Sequence, residues 1–170
     1  MKRNVNVFGI SDKRGRLETC PDPYLPPQGL KPAVCEHCHA VYHQKSWHQD
    51  AKMFALLHDD PQTPQILCPA CQKQNENFPT GILTLQGDYL WEHETEIRNI
   101  LNNRADSMHS RNPLQRIMRM EKTGNQLVIE TTDSKLAEHM GRALQHAHRG
   151  ELRIDWAGKQ TCRVDWQRGE

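Results

Sequence analysis

Two short cysteine pairs are the residues of this chain best placed to do chemistry: Cys35-Glu36-His37-Cys38 and Cys68-Pro69-Ala70-Cys71. In C-x-x-C spacing a tight turn aims both sulfurs at one point, and two facing turns set four thiolates in a tetrahedron. That geometry and that soft ligand suit Zn²⁺, with metal–sulfur bonds of ~2.3 Å. The pairs are separated by 29 residues, more than the ~15–20 of compact zinc sites. A long ribbon arm absorbs the insertion, because closure entropy grows only slowly with loop length. One pair alone would be ambiguous between metal and redox chemistry, whereas two together point to a metal. The competing readings are two redox pairs, two disulfides, or iron in an S₄ site. His37, His39, His43, His48 and His58 lie close by in sequence, so a Cys₃His shell is the alternative ligand set. Four cysteines complete a shell with no position for water, which makes the one expected Zn²⁺ structural.

The rest of the chain must position that node, and its composition limits how. It has 170 residues, 36% of them apolar, and a mean hydropathy of −0.84. The expected core is modest, and a metal can stand in for burial in one part. No apolar run approaches the ~18 residues of a membrane span, and the start of the chain lacks the apolar stretch of a signal peptide. Cysteines used as metal ligands fit a reducing compartment, so the expected location is cytoplasmic. Cys20 lies in a polar tail, and Cys162 sits on an apolar strand face as a buried thiol. The net charge is +1, but it is unevenly spread. Residues 1–31 carry six Lys/Arg against three acids, 32–87 three against five, 88–110 two against five, and 111–170 eleven against eight. The basic surplus sits at the two ends.

These segments are also the expected domains. Residues 1–31, proline-rich with few apolar side chains, read as a flexible basic arm that cannot offset its own ordering entropy. Residues 32–87 read as a zinc ribbon, with Val41–His43 leaving the first knuckle, helical turns at Ala51–Leu57, and Ile66–Leu67 returning to the second. A polar stretch, 72–77, and a strand, Ile82–Leu85, complete it. His58, Asp59 and Asp60 read as turn residues. Residues 88–110 read as a helix from about Tyr89 to Arg104 with an apolar stripe of Leu90, Ile97, Ile100 and Leu101, then a linker over 105–112. Residues 111–170 read as ββαββ, or αββαββ if the preceding helix joins in. Strands Leu114–Lys122 and Gln126–Thr132 join at Thr123-Gly124-Asn125, a helix runs from Asp133 or Ser134 to about His148, and two alternating strands close the chain. The expected fold class is therefore α+β: a four-cysteine zinc ribbon, a helix, and a small ββαββ antiparallel-sheet domain behind a basic arm.

Enzyme signatures are missing from the sequence. There is no phosphate-binding loop, no dinucleotide fingerprint, no H-E-x-x-H, no G-x-S-x-G and no zinc-deaminase pattern. The expectation is a protein without enzymatic activity or a small-molecule substrate. Nucleic acid is the better-supported partner. Lys13, Arg14 and Arg16 lie on the arm, Arg111, Arg116, Arg119 and Lys122 lead into and along the first strand of the last domain, and Arg142 and Arg149 lie near the polar side of its helix. Guanidinium groups suit phosphate. No stacking-aromatic RNA motif is visible.

The cysteine pairs, the run Pro79-Thr80-Gly81-Ile82-Leu83-Thr84-Leu85-Gln86-Gly87, Asp22-Pro23-Tyr24 ahead and Pro113-Leu114-Gln115-Arg116-Ile117-Met118 after together resemble a family of small bacterial zinc proteins. That family is similar to the N-terminal zinc region of the archaeal and eukaryotic large-ribosomal-subunit export adaptor, also named for nonsense-mediated mRNA decay. The bacterial resemblance covers most of the chain; the link to the adaptor rests on the cysteine pairs and the following α+β block. The resemblance implies association with the ribosome or ribosomal RNA, and it carries over Cys35, Cys38, Cys68 and Cys71 as zinc ligands and no catalytic residue. The adaptor has additional C-x-x-C pairs that this chain lacks. The resulting expectation is a ribosome- or RNA-associated zinc protein, a stress or hibernation-type factor, with no membrane and no obligate oligomer. The alternative is a zinc-ribbon adaptor or regulator that binds other proteins.

Overall fold

The computed structural model describes Tyr24, Pro26 and residues 29–169. The expected arm, with Lys13, Arg14, Arg16 and Cys20, lies almost wholly outside the described residues. The described chain is mixed α/β, with two sheets and five helices.

The first layer is small. Strands β1 (Ala33–Cys35), β2 (Val41–His43), β3 (Ser46–His48) and β4 (Gln65–Ile66) form a sheet in the order β3-β2-β1-β4. β4 returns parallel to β1, which brings the second cysteine pair beside the first. Helix α1 (Ala51–His58) fills part of the long insertion and is capped by Asp50, whose carboxylate accepts from the amides of Lys52 and Met53. Helix α2 (Pro69–Asn75) occupies most of the stretch expected to be merely polar. Pro69 at its first position has the φ a helix needs, and the Cys68 sulfur accepts from the Cys71 amide as a cap would. The second knuckle is thus a helix N-terminus.

The second layer is larger, and here the ββαββ expectation needs correcting. Strands β5 (Gly81–Gln86), β6 (Ile117–Thr123), β7 (Gln126–Thr131), β8 (Glu151–Ala157) and β9 (Thr161–Gln167) form a five-stranded sheet in the order β6-β7-β5-β9-β8. β5, read from sequence as the end of the zinc region, is the central strand. It pairs antiparallel with β7 and parallel with β9, so the sheet is mixed, not purely antiparallel. Leu83 and Leu85 explain the central place: both are fully buried within the main core, which an edge position would not provide.

The helix preceding this block also differs from expectation. It breaks at His93 into α3 (Asp88–Glu92) and α4 (Glu94–Arg111), and α4 absorbs nearly all of the expected linker. Ile97, Leu101 and Ala105 continue one buried stripe at four-residue spacing, with Met108 packed beside it, and no proline intervenes before Pro113. β6 starts three residues later than expected, because Leu114 and Gln115 belong to a turn closed by the Gln115 amide on the Asn112 carbonyl. Helix α5 (Ser134–His148) is capped by Asp133 and lies against β5 and β9. Gly141 permits that approach: a Cβ there would stand 2.5 Å from a Val164 methyl. One continuous core joins α3, α4 and α5 to the sheet, with Trp166, Met140 and Leu136 among its fully buried side chains.

Candidate metal centre

Cys35 ends β1, Cys38 lies in the turn that follows, Cys68 caps α2 and Cys71 lies in its first turn. The first knuckle closes through the His39 amide on the Cys35 carbonyl and the Cys35 amide on the Ala40 carbonyl, with His39 in the left-handed region at φ +63°. All four sulfurs lie within 4.8 Å of one another. Cys35 Sγ is 3.8 Å from Cys71 Sγ, and Cys38 Sγ is 3.6 Å from Cys68 Sγ. A disulfide needs ~2.05 Å, and all four thiols are free. A tetrahedron with metal–sulfur bonds of ~2.3 Å has sulfur–sulfur edges of about 3.8 Å. The four cysteines fit a metal ion by distance, by direction and by ligand chemistry. Cys35, Cys68 and Cys71 are fully buried, and Cys38 is half-buried.

The local field is that of a crowded thiol cluster. Hydrogen bonds from the Cys38 and Cys68 side chains pull the Cys35 thiol far down, while those with Cys35 and Cys38 push the Cys68 thiol up; burial raises Cys71. The charge is shared, and one sulfur ionises at the expense of its neighbours. Two peptide N–H groups also point at sulfur, Cys68 N–H at Cys35 Sγ (3.3 Å) and Cys71 N–H at Cys68 Sγ (3.4 Å).

The decisive addition comes from the other layer. The Arg116 guanidinium donates to Cys38 Sγ at 3.0 Å and Cys71 Sγ at 3.3 Å, with Cys68 Sγ at 3.7 Å. Its remaining donors reach the Pro113 carbonyl and the Gln74 amide oxygen. Burial works against the charge on Arg116, but the hydrogen bonds to Cys71 and Cys38 more than offset it and hold the guanidinium charged. Expected as a phosphate contact, Arg116 instead turns toward the sulfurs, where Cys38, Cys71, Gln74 and the Pro113 carbonyl together accept from its planar fork of donors. Nothing in the spacing of Pro113-Leu114-Gln115-Arg116 announces this partner. The two layers are further tied by the Lys73 ammonium on the Thr132 carbonyl (3.0 Å).

Comparison with protein-family models, curated proteins and solved structures finds no match for this chain.

None of the nearby histidines joins the cysteine cluster. His39 stacks on Phe54 with ring centroids 4.5 Å apart, His58 tilts against the same ring, and His48 bonds to Ser46 and the His43 carbonyl. The Cys₃His alternative therefore has no histidine in reach among the described residues. Cys162 is fully buried on β9, where burial, aided by Glu138 and Asp155, pushes its thiol up to about 11.

The remaining cations expected to meet RNA are spread over separate elements. Arg119 pairs with Glu130 (3.1 Å), and Arg142 pairs with Glu138 (2.8 Å). The Lys122 ammonium sits 3.9 Å from the centroid of the Trp91 ring. Arg149 ends α5 at φ +62° and gives its carbonyl to the Trp166 indole. Arg111, exposed at the end of α4, lies beside a cleft between the layers. The sheet face away from α5 carries a polar row in which Gln126 donates to Gln86 and Gln86 to Gln167. Among the described residues, no aromatic of the five strands lies on that face, since Trp156 and Trp166 alternate toward the helix side.

Proposed function

We propose that the protein is a non-enzymatic, zinc-holding factor that associates with ribosomal RNA in the bacterial cytoplasm, of the stress or hibernation type. The observation that carries this reading is the enclosed tetrathiolate. Four cysteines complete a tetrahedral shell, three of them fully buried, and Arg116 lies against three of the sulfurs. A shell of that kind leaves no position for substrate or activated water, and its softness and shape favour Zn²⁺. The metal's work would be to hold a surface in shape. Two exposed cations border the cleft beside it: Lys45 on the hairpin and Arg111 at the end of α4. The resemblance to ribosome-linked zinc proteins in the cysteine pairs and the Pro79–Gly87 run supports the choice of polyanion.

A second reading, a protein-binding adaptor, is favoured by α1. Met53, Phe54, Leu56 and Leu57 give it an apolar surface, none of its residues is buried, and Leu56 is 78% exposed. Sedimentation of the tagged protein with ribosomes, in growing and stressed cells, tests the first reading. Co-sedimentation that weakens steeply with salt supports RNA contact. A protein that stays at the top of the gradient in both conditions sinks it, and salt-insensitive capture of a polypeptide through α1 replaces it with the second.

A further inference from the structure

The five-stranded sheet ends in two unlike edges. β6 closes one side, and its pairing with β7 slips at an irregularity between Ile117 and Arg119, a common way of blunting an edge. β8 closes the other. It pairs with β9 along its whole length, from Glu151 to Ala157, with no register shift, and it contains neither proline nor glycine. Among the described residues nothing pairs with its outer side. A regular edge of seven residues presents a row of backbone N–H and C=O groups that can template a further strand.

The side chains of β8 say which strand fits. Leu152, Ile154 and Trp156 point to the helix side, and Glu151, Arg153 and Asp155 to the open face. Leu152 and Ile154 are half-buried against the core, whereas Trp156 is 42% exposed. Arg153 and Asp155 pair with each other at 2.8 Å and both remain exposed, and a guanidinium and a carboxylate have donors and lone pairs enough for a second partner each. Paired antiparallel with a second copy of itself about a two-fold axis at Ile154, β8 sets Arg153 opposite Asp155 of the copy, and Asp155 opposite its Arg153. On the other face Leu152 meets Trp156 of the copy, and the two Ile154 side chains meet each other. Opposite charges and apolar pairs directly across strands are the favourable combinations. Moving the axis by one residue either way sets Arg153 or Asp155 opposite its own counterpart, which is repulsive. The run Leu152-Arg153-Ile154-Asp155-Trp156 is thus self-complementary in one register, as an isologous contact requires.

We propose that β8 pairs with β8 of a second copy of this chain, joining the two sheets into one and covering Trp156 at the join. Each copy keeps its own buried core, and a single paired edge is a small interface. The dimer is therefore reversible, and folding does not depend on it. This inference stands apart from the RNA reading.

The test uses the full zinc-loaded chain. Sedimentation equilibrium from low to high micromolar concentration should show monomer and dimer in exchange, and the Trp156 indole N–H resonance, assigned with Trp156→Phe, should move with concentration. Asp155→Arg makes both charges at the centre of the edge positive, and Arg153→Asp makes both negative. Each variant alone turns attractive cross-strand pairs into repulsive ones and should weaken dimerisation about tenfold or more. Mixed in equal amounts, the two variants should recover a dimer, because every arginine then faces an aspartate. Trp156→Lys, which leaves both charges in place, should weaken the dimer as well. Glu121→Arg, on the β6 edge, should change nothing. The proposal is overturned if the wild type stays monomeric throughout, if either charge reversal dimerises as well as wild type, or if mixing the two restores nothing. Loss of the dimer in Glu121→Arg, or growth of open-ended assemblies in place of a closed dimer, would overturn it equally.

Discussion

The two layers are held together by different physics. The sheet-and-helix layer has a cluster of fifteen buried side chains, including nine leucine or isoleucine residues, and Trp166. The metal layer has a cluster of eight, and three of those are cysteines whose sulfurs face one another. Apart from the cysteines, that cluster holds Ala33, Ala40, Tyr42, Trp47 and Ala70, with Val34 and Val41 also buried in the small sheet. A unit of that size cannot build sufficient apolar burial on its own. The difference sets a layer held by apolar burial beside one whose four cysteines fit a metal ion, and Arg116 joins them by carrying a guanidinium from the larger layer onto the sulfurs of the smaller.

The largest expected effect separates the layers directly. Stripping the metal with a chelator, or replacing Cys71→Ser, removes a contribution that for structural zinc sites amounts to ~10–16 kcal/mol. Hydrogen exchange should then show residues 33–75 losing protection while the strands of the five-stranded sheet keep theirs. Simultaneous loss in both layers would mean that burial in the larger one depends on ligation in the smaller, and the contrast drawn here would break.

The converse substitution comes next. Leu83→Ala empties the middle of β5, where the side chain is fully buried, and should destabilise the sheet layer by about 2–5 kcal/mol. Chemical denaturation measures that loss. Metal content at low denaturant should remain one equivalent, since no cysteine contact changes.

The smallest of the three effects lies at the join. Arg116→Ala removes the guanidinium from three sulfurs, and loss of such a partner typically lowers metal affinity about 10–100-fold. Competition with a chromogenic chelator reads this out, and Arg116→Lys should restore only part, because a point charge cannot reach Cys38, Cys71 and Gln74 at once. Unchanged affinity in Arg116→Ala would reduce the arginine to a packing element.

Several elements were legible before any coordinates. The cysteine pairs were readable because their spacing alone aims the sulfurs. The strand alternation from Leu152 to Trp166 and the Asp133 cap were readable because they are local patterns of period two and of helix entry. The place of β5 was not. Its partners are residues 126–131 and 161–167, and nothing within Gly81–Gln86 states which distant strand will flank it. The extent of α4 was half-readable, since its apolar stripe runs past Arg104 while its polar residues resemble a linker. Among the expected RNA contacts, charge was visible and destination was not: Arg116, Arg119 and Arg142 are identical letters that end on thiolates, on Glu130 and on Glu138.

Residue type and short-range spacing thus determined the ligand set, the mixed α and β content, and the uneven charge, because each is encoded within a few positions. Tertiary structure alone decided the order of the five strands, the inward turn of Arg116 and the cleft between layers. Those depend on pairings across dozens of residues, where burial and charge compensation choose among many sequence-compatible arrangements.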